Sequence, residues 1–442
     1  MPMRRIRCFD RNSDDPSMGV DWRSAAIMTA TLFLNFHFYQ DYGLNLWGFG
    51  TLPVDASVLA VGVLLLTALF FIGPALAVRA AQRPVFFLIE RSTGAIPAFA
   101  LRLCCVAFLL LWIAKLVAMP TLWAFERIPG RELALMERGL IAALLLSFLF
   151  FTGLQSTRTG AKLALFNSKL GIAILVAAFI RVHGGWTAVP TGFASAGQYP
   201  AALHFCASLS ELGYYAAPLG LLFADLAFRI PDRKQFSLTV LTGVALPLFV
   251  ALSVTGVVGV ATAASQLYQP SLNPTVAMAL WSHTAGSAMP ARMLVAGITT
   301  FGAVRFGVRA LAACGPAVPQ GKLKLYVLVF LIVVIAALSL HPYATAFMSV
   351  YEMCAKCLVV TAAVLTADLV IGSKGVTARR RFDAVGVAAL SGGVATALCL
   401  PQGYRWAQDQ WWQPWLLPSY GMGFLICLTG RFAQRLSVFG RR

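Results

Sequence analysis

The sequence predicts an all-α, polytopic membrane protein of about twelve transmembrane helices, and three observations carry that reading. Of 442 residues, 59% are hydrophobic and 12% charged, with a mean hydropathy of +0.76; soluble domains run near half apolar and a quarter charged. Apolar windows long enough to cross a bilayer, about twenty residues each, fall near 25–50, 53–78, 99–125, 135–154, 168–182, 203–228, 236–262, 291–314, 325–341, 344–371, 384–400 and 415–431. Lysine and arginine then gather in alternate loops.

One side collects the Arg-rich head, Arg79, Arg83, Arg91, Arg158, Lys162, Lys169, Arg229, Arg233, Lys234, Lys322, Lys324, Lys374, Arg379 to Arg381, and the tail from Arg431 to Arg442. The other side has only Arg127, Arg131, Arg138, Arg181, Arg292 and Arg405. Positive charge is retained on the cytoplasmic face, so both termini are expected there, in a bacterial inner membrane. Trp406, Trp411, Trp412 and Trp415 fall at the outer interface, where an aromatic belt is expected.

The organisation follows from the spans. Residues 1–23 form a cytoplasmic tail, 24–182 carry spans one to five, 203–371 spans six to ten, 384–431 spans eleven and twelve, and 432–442 a second tail. The first apolar stretch follows Arg4, Arg5, Arg7, Arg11 and Arg23 without a small-residue cleavage pattern, and reads as a retained span rather than a leader.

Composition also sets aside other classes. A formal charge of +18 would suit nucleic acid only if it lay on one soluble face, and here it is split into short runs between apolar segments. The cysteines lack metal-site spacing; Cys354 and Cys357 form a C-x-x-C in mid-span, read as small packing residues. A His-Glu-x-x-His metalloprotease pattern is absent from the sequence. The expectation is no enzyme and no cofactor, with Na⁺ or H⁺ as a coupling ion at most, and a monomer or weak homo-oligomer in lipid.

Two spans carry polar density where lipid-facing helices have Leu and Val. Span one reads Asn35-Phe-His37-Phe-Tyr-Gln40-Asp41-Tyr-Gly43, and span six holds Glu211, Gly213, Tyr214, Tyr215, Pro218 and Gly220. Polar groups are costly in hydrocarbon unless they face a cavity, and Pro and Gly favour a break. Both spans are therefore expected to be broken helices. They lie five spans apart, which matches a 5+5 inverted repeat with the two breaks at the midplane and two further helices at the C-terminus.

Four stretches then resemble the purine/cytosine permeases, or nucleobase cation symporters, which have the leucine-transporter fold. They are Pro84-Val-Phe-Phe-Leu-Ile-Glu-Arg-Ser-Thr-Gly94-Ala-Ile-Pro97 followed by Trp112, Asp225-Leu-Ala-Phe-Arg229, Thr299-Thr300, and Thr366-Ala-Asp368. The resemblance implies that Trp112 and Tyr214 or Tyr215 stack on a flat heterocycle, apolar on its faces and polar on its rim. It also implies that Thr299 and Thr300 offer hydroxyl oxygens to Na⁺, completed by carbonyls of the break in span one. Two departures bear on the ligand: Leu116, beside Lys115, stands where the family has glutamine, and Arg305 where it has asparagine.

Arg102, Lys115, Arg305, Arg309 and Lys356 lie inside apolar segments, each at a cost of at least roughly 2.5 kcal/mol in hydrocarbon unless paired or wet. Lys356 has Glu352 one turn before it, a spacing that predicts a structural ion pair. Arg102 and Arg309 are placed to snorkel. Lys115 and Arg305 leave two readings: they hold an anionic substrate, or they neutralise Asp41 and Glu211, with protonation of Asp41, Glu211 or His37 driving transport. The expected substrate-binding set is Trp112, Lys115, Tyr214, Tyr215, Arg305 and Gln40. The expected ion-coupling set is Thr299, Thr300, Asp41, His37 and Glu211, with Thr299 and Thr300 as Na⁺ ligands.

The function these residues predict is cation-coupled uptake of a small planar nitrogen heterocycle, such as a nucleobase or hydantoin. The alternatives are an amino-acid or organic-anion carrier of the same fold, and a transporter-like membrane sensor.

Overall fold

Asp21 opens the first helix by accepting the Ser24 N–H at 3.4 Å, an N-cap of the usual kind. Helix α1 (Trp22–Ala30) follows. The computed structural model describes residues 21–35, 38, 56–125, 201–230, 232–253, 302–308, 344–372, 381–403 and 415–439, with short pieces near 165–176, 255, 310–314 and 330–335. Among the described residues all regular structure is helical.

The further helices are α2 (Ala56–Leu66), α3 (Gly73–Ala81), α4 (Val85–Thr93), α5 (Ala95–Phe125), α6 (Ala201–Ala227), α7 (Arg233–Val240), α8 (Ala344–Ile371), α9 (Ala384–Gly403) and α10 (Leu416–Phe439). A π-helical turn, Thr67–Ile72, joins α2 to α3, and another, Leu241–Ala245, continues α7. Four helices among the described residues are long and apolar enough to cross a membrane: Val58–Ala81, Ala95–Leu116, Arg233–Ser253 and Ala346–Ile371. Their outer faces agree, since Leu64 is 62% and Val370 63% exposed, a surface that suits lipid and not water.

Contacts divide the chain into two interleaved units. One comprises Met1–Leu46, Val106–Ala194 and Leu241–Tyr351; the other comprises Trp47–Cys105, Ser195–Val240 and Glu352–Arg442.

In the first unit, the turn Leu241–Ala245 lies against α1. A Cβ at Gly243 would stand 2.8 Å from Ala26 Cα, so glycine is what admits the backbone approach. In the second unit α6 presses on the turn Thr67–Ile72, where a Cβ at Gly220 would stand 2.2 Å from the Phe70 carbonyl oxygen. Small residues at such contacts are how membrane helices gain packing without a hydrophobic drive between them.

The same unit is tied at one end by polar contacts. Asp225 accepts the Val85 N–H at 2.8 Å, capping α4 from another helix, and Arg79 donates to the carbonyls of Ala227 and Ile230. Gly94 ends α4 with φ +97°, a conformation that side chains rarely adopt, and its missing Cβ leaves room for the Arg381 carbonyl. Ser92 Oγ donates to Asp368, whose carboxylate also receives Arg431 Nε at 3.0 Å. Arg431 is 5% exposed; it reaches Asp383 at 3.0 Å and the Ser92 carbonyl at 2.8 Å.

The interruption expected in span six is not found. Helix α6 runs from Ala201 to Ala227 with Pro218 inside it. A proline in a membrane helix is tolerated where packing holds the chain on both sides. Here Gly220 is seated on Phe70, and Gly213 on the side chain of Leu416, where a Cβ would be 2.4 Å from a methyl carbon.

Candidate functional site

Span one does break, earlier than its polar run suggested. After Ala30 the chain leaves the α-helix for residues 31–35 and is helical again at Phe38. Leu32 N–H bonds to the Thr29 carbonyl at 3.0 Å and Phe33 N–H to that of Ala30 at 3.1 Å, tight i to i+3 turns in place of the helical ladder. Wholly buried Asn35 closes the gap with its side chain. Its amide donates to the carbonyls of Thr31 (3.0 Å) and Leu32 (2.6 Å), and its oxygen accepts Phe38 N–H at 2.9 Å. Irregular backbone at membrane depth has to have its polar groups satisfied by the protein, and a single asparagine does so here.

The break is packed on the helical residues 302–308. A Cβ at Gly302 would lie 2.6 Å from Thr31 Cγ2, and one at Gly307 would lie 2.7 Å from Ile113 and 2.9 Å from the indole of Trp112. One short helix therefore bridges the break of span one and Trp112 within the first unit. Arg305, between those two glycines, is 5% exposed, and Trp112 is wholly buried. Lys115 lies 5.8 Å from the ring centroid of Tyr351, which in turn stacks on Phe108 at 4.6 Å.

The second unit holds the aromatics of α6. Tyr215 is 1% exposed. Tyr214 has its ring 4.8 Å from that of Trp415, and the Lys356 ammonium lies 5.9 Å from the first ring and 5.5 Å from the second. A cation over aromatic faces is held by their quadrupoles, an interaction that strengthens when water is excluded. Glu211, one turn before Tyr214 and Tyr215, and Glu352 both act on Lys356 as nearby negative charges.

Two expectations are corrected here. Lys356 spends its contacts on two aromatic faces, with Glu352 as one of two nearby charges rather than its dedicated partner. Trp415 is wholly buried beneath α6 and does not belong to an interfacial belt; its own backbone precedes Leu416, whose N–H is bound by Ser210 Oγ at 3.1 Å. Arg102 pairs with Glu90 at 3.9 Å and covers the Phe86 ring.

Gln40, His37, Asp41, Thr299, Thr300 and Arg309 lie outside the described residues, as do Trp406, Trp411 and Trp412. Sequence reasoning missed Asn35 as the plug of the break, although its place at the head of the polar run was a signal. It counted Arg431 only as a charge of the cytoplasmic tail and passed over its partner Asp383.

The chain matches no family model and no curated protein at the level of sequence. Among solved structures it is similar to Mhp1, a nucleobase-cation-symport-1 family transporter, in a closed conformation with bromovinylhydantoin bound, at 14% identity over 94% of this chain and 93% of that one, with a TM-score of 0.59. It is similar to the inward-facing form of Mhp1, at 12% identity over 98% and 96% and a TM-score of 0.59. It is also similar to a Na⁺-coupled sialic acid symporter in a substrate-bound outward-open state, at 12% identity over 96% and 90% and a TM-score of 0.57. The chain thus has the polytopic leucine-transporter fold, and such likeness speaks to fold alone.

Proposed function

We propose that this chain is a cation-coupled secondary transporter for a small planar nitrogen heterocycle, of the nucleobase or hydantoin type. The observation that carries the reading is the break at residues 31–35 seated on Gly302, three residues from Thr299 and two from Thr300. A break takes main-chain oxygens out of the helical ladder, here holding the Thr31 and Leu32 carbonyls only through the Asn35 amide, and Na⁺ takes hard oxygen ligands, so an interrupted helix packed on Gly302 supports coupling in this region. Thr299 and Thr300 are the proposed Na⁺ ligands, with Asp41, His37 and Glu211 as the groups that would carry a proton instead.

The substrate residues proposed are Trp112 and Tyr215, with Gln40 on the polar rim. Each ring is buried and so offers a face from which water is already excluded. Tyr214 is the weaker of the two α6 aromatics, because Trp415 and Lys356 already occupy its surroundings.

A second reading, an organic-anion or amino-acid carrier, rests on Arg305, which is 5% exposed two residues from the glycine packed on Trp112. A guanidinium there could hold a carboxylate in bidentate fashion. Lys115 is the companion cation of that reading.

Counterflow in proteoliposomes separates the two. Accumulation of labelled cytosine, uracil or allantoin supports the heterocycle reading; accumulation of amino acids alone refutes it. The proposed setting is a bacterial inner membrane with both termini cytoplasmic, and maleimide labelling of cysteines introduced into the two tails tests that orientation.

A further inference from the structure

Among the described residues two spans carry a π turn, Thr67–Ile72 in span two and Leu241–Ala245 in span seven, and the two turns share a pattern. Each is followed, two residues after its last, by a proline: Pro74 and Pro247. Four residues before these prolines stand Phe70 and Gly243, and it is at these two positions that a neighbouring backbone comes against the turn. A Cβ at Gly220 of α6 would stand 2.2 Å from the Phe70 carbonyl oxygen, and one at Gly243 would stand 2.8 Å from Ala26 Cα on α1.

The sterics of proline account for the coincidence. In an α-helix the proline ring runs into the carbonyl four residues before it and offers that carbonyl no N–H; a π turn admits one more residue and relieves the clash. The Gly73 N–H reaches back five residues to the Ala68 carbonyl. The next bond of that ladder, from residue 74 to Leu69, cannot form because Pro74 has no N–H, and Tyr420 Oη donates to the Leu69 carbonyl instead, at 3.5 Å. Thr67 opens the turn at 2% exposure, and among the described residues its hydroxyl has no hydrogen-bond partner. The hydroxyls of Thr93, Thr239 and Thr366 each reach the carbonyl four residues back at 2.8 Å. Proline alone does not make the turn, since α6 passes Pro218 as an α-helix; four residues before Pro218, Tyr214 meets the ring of Trp415.

We propose that Thr67–Ile72 and Leu241–Ala245 are a matched pair of hinges in spans two and seven. Each is made by a proline that takes the carbonyl four residues before it out of the ladder, and each is held at that residue by a glycine-mediated seat on a neighbouring span: α6 for span two, α1 for span seven. The chain beyond each turn swings while the seat stays fixed, because a helix bends where ladder bonds are missing. Spans two and seven hold the same place in the two halves of the 5+5 repeat, so one device is present twice. The inference rests on the fold and not on the substrate, and its test contains no ligand.

The test is hydrogen–deuterium exchange of the full-length protein in lipid nanodiscs, read by mass spectrometry, which reports local opening of the backbone. Amides of residues 69–75 and 243–248 should exchange at least about tenfold faster than those of residues 356–366 in α8, a span without proline. Pro74→Ala should slow the first set towards the α8 rate and leave the second unchanged. Pro247→Ala should do the reverse, which keeps the test decisive if one of the two variants does not fold. Protection at the turns equal to that of α8 overturns the hinges, and one fast turn without the other overturns the pairing. Fast exchange that persists in the folded proline variants overturns the origin given to it here.

Discussion

Arg431 Nε lies 3.0 Å from Asp368 Oδ1, joining the second half of α10 to the last turn of α8 across 63 residues of sequence. The same guanidinium reaches Asp383 at 3.0 Å, and Asp383 in turn caps α9 by accepting the Gly386 N–H at 3.0 Å. One buried cation thus holds two carboxylates and, through the Ser92 carbonyl, the end of α4. A planar fork with five donors suits that task, and an ammonium does not.

Breaking one member of such a network leaves the others buried and uncompensated. Arg431→Ala should therefore cost about 3–5 kcal/mol of stability. Arg431→Lys should recover only part, since one amine cannot satisfy all of these acceptors. Thermal unfolding of the purified variants checks the order; equal midpoints for Arg431→Ala and the unaltered protein would remove the network from the account.

Gly220→Ala would place a carbon 2.2 Å from the Phe70 carbonyl oxygen, and backbone cannot rotate out of the way as a side chain can. Overpacking of this kind should cost about 1–3 kcal/mol. Gly421→Ala meets nothing within 4 Å and sits inside α10. It should be neutral or stabilising by up to about 1 kcal/mol. Comparing the two by denaturation separates tight packing from a general sensitivity of glycine positions.

Asn35→Ala would strip the break in span one of three hydrogen bonds at once. Leaving these groups buried without partners should cost about 1–3 kcal/mol. Asn35→Asp should do no better, because the two donor bonds come from the amide nitrogen. If the break contributes ion ligands, both changes should also weaken stabilisation by Na⁺; unchanged Na⁺ response in a folded variant would dissociate the break from coupling.

Tyr214 and Tyr215 are adjacent but should behave differently. Tyr214→Leu loses a ring pair and a cation-π contact, worth together about 1–3 kcal/mol, and should lower the unfolding midpoint while leaving ligand affinity within about twofold. Tyr215→Leu should lower affinity by roughly tenfold or more, the scale of one lost aromatic stacking contact. Titrations on both variants with the ligand found by counterflow check the split, and the reverse pattern would reassign the ring-binding residue.

Much of the helical frame was legible because bilayer thickness imposes a length on apolar segments, and because α2, α5, α6, α8, α9 and α10 fall where the windows lie. The break in span one was also legible, through a polar run with no place in lipid, although the helix yields at Thr31, before the run begins. Span six misled because Gly213, Pro218 and Gly220 look alike whether they break a helix or let neighbours press against it. The distinction lies in Phe70 and Leu416, which are distant in sequence. Lys356 misled for a related reason: a Glu one turn away is visible in the sequence, whereas Tyr214 and Trp415 come together over it only on folding. Arg431 gave little local sign, since apart from nearby Gln434 its partners are separated from it by 48 to 339 residues.

The central claim, a heterocycle carrier coupled to a cation, is tested most directly by thermal shift of the purified protein with a panel of nucleobases, hydantoins and small acids, each with and without Na⁺. A ligand stabilises the state that binds it in proportion to its affinity and concentration. The account predicts stabilisation by an uncharged heterocycle that grows with Na⁺ and vanishes in Trp112→Ala. Stabilisation by acids alone, indifferent to Na⁺ and lost in Arg305→Ala, would contradict it.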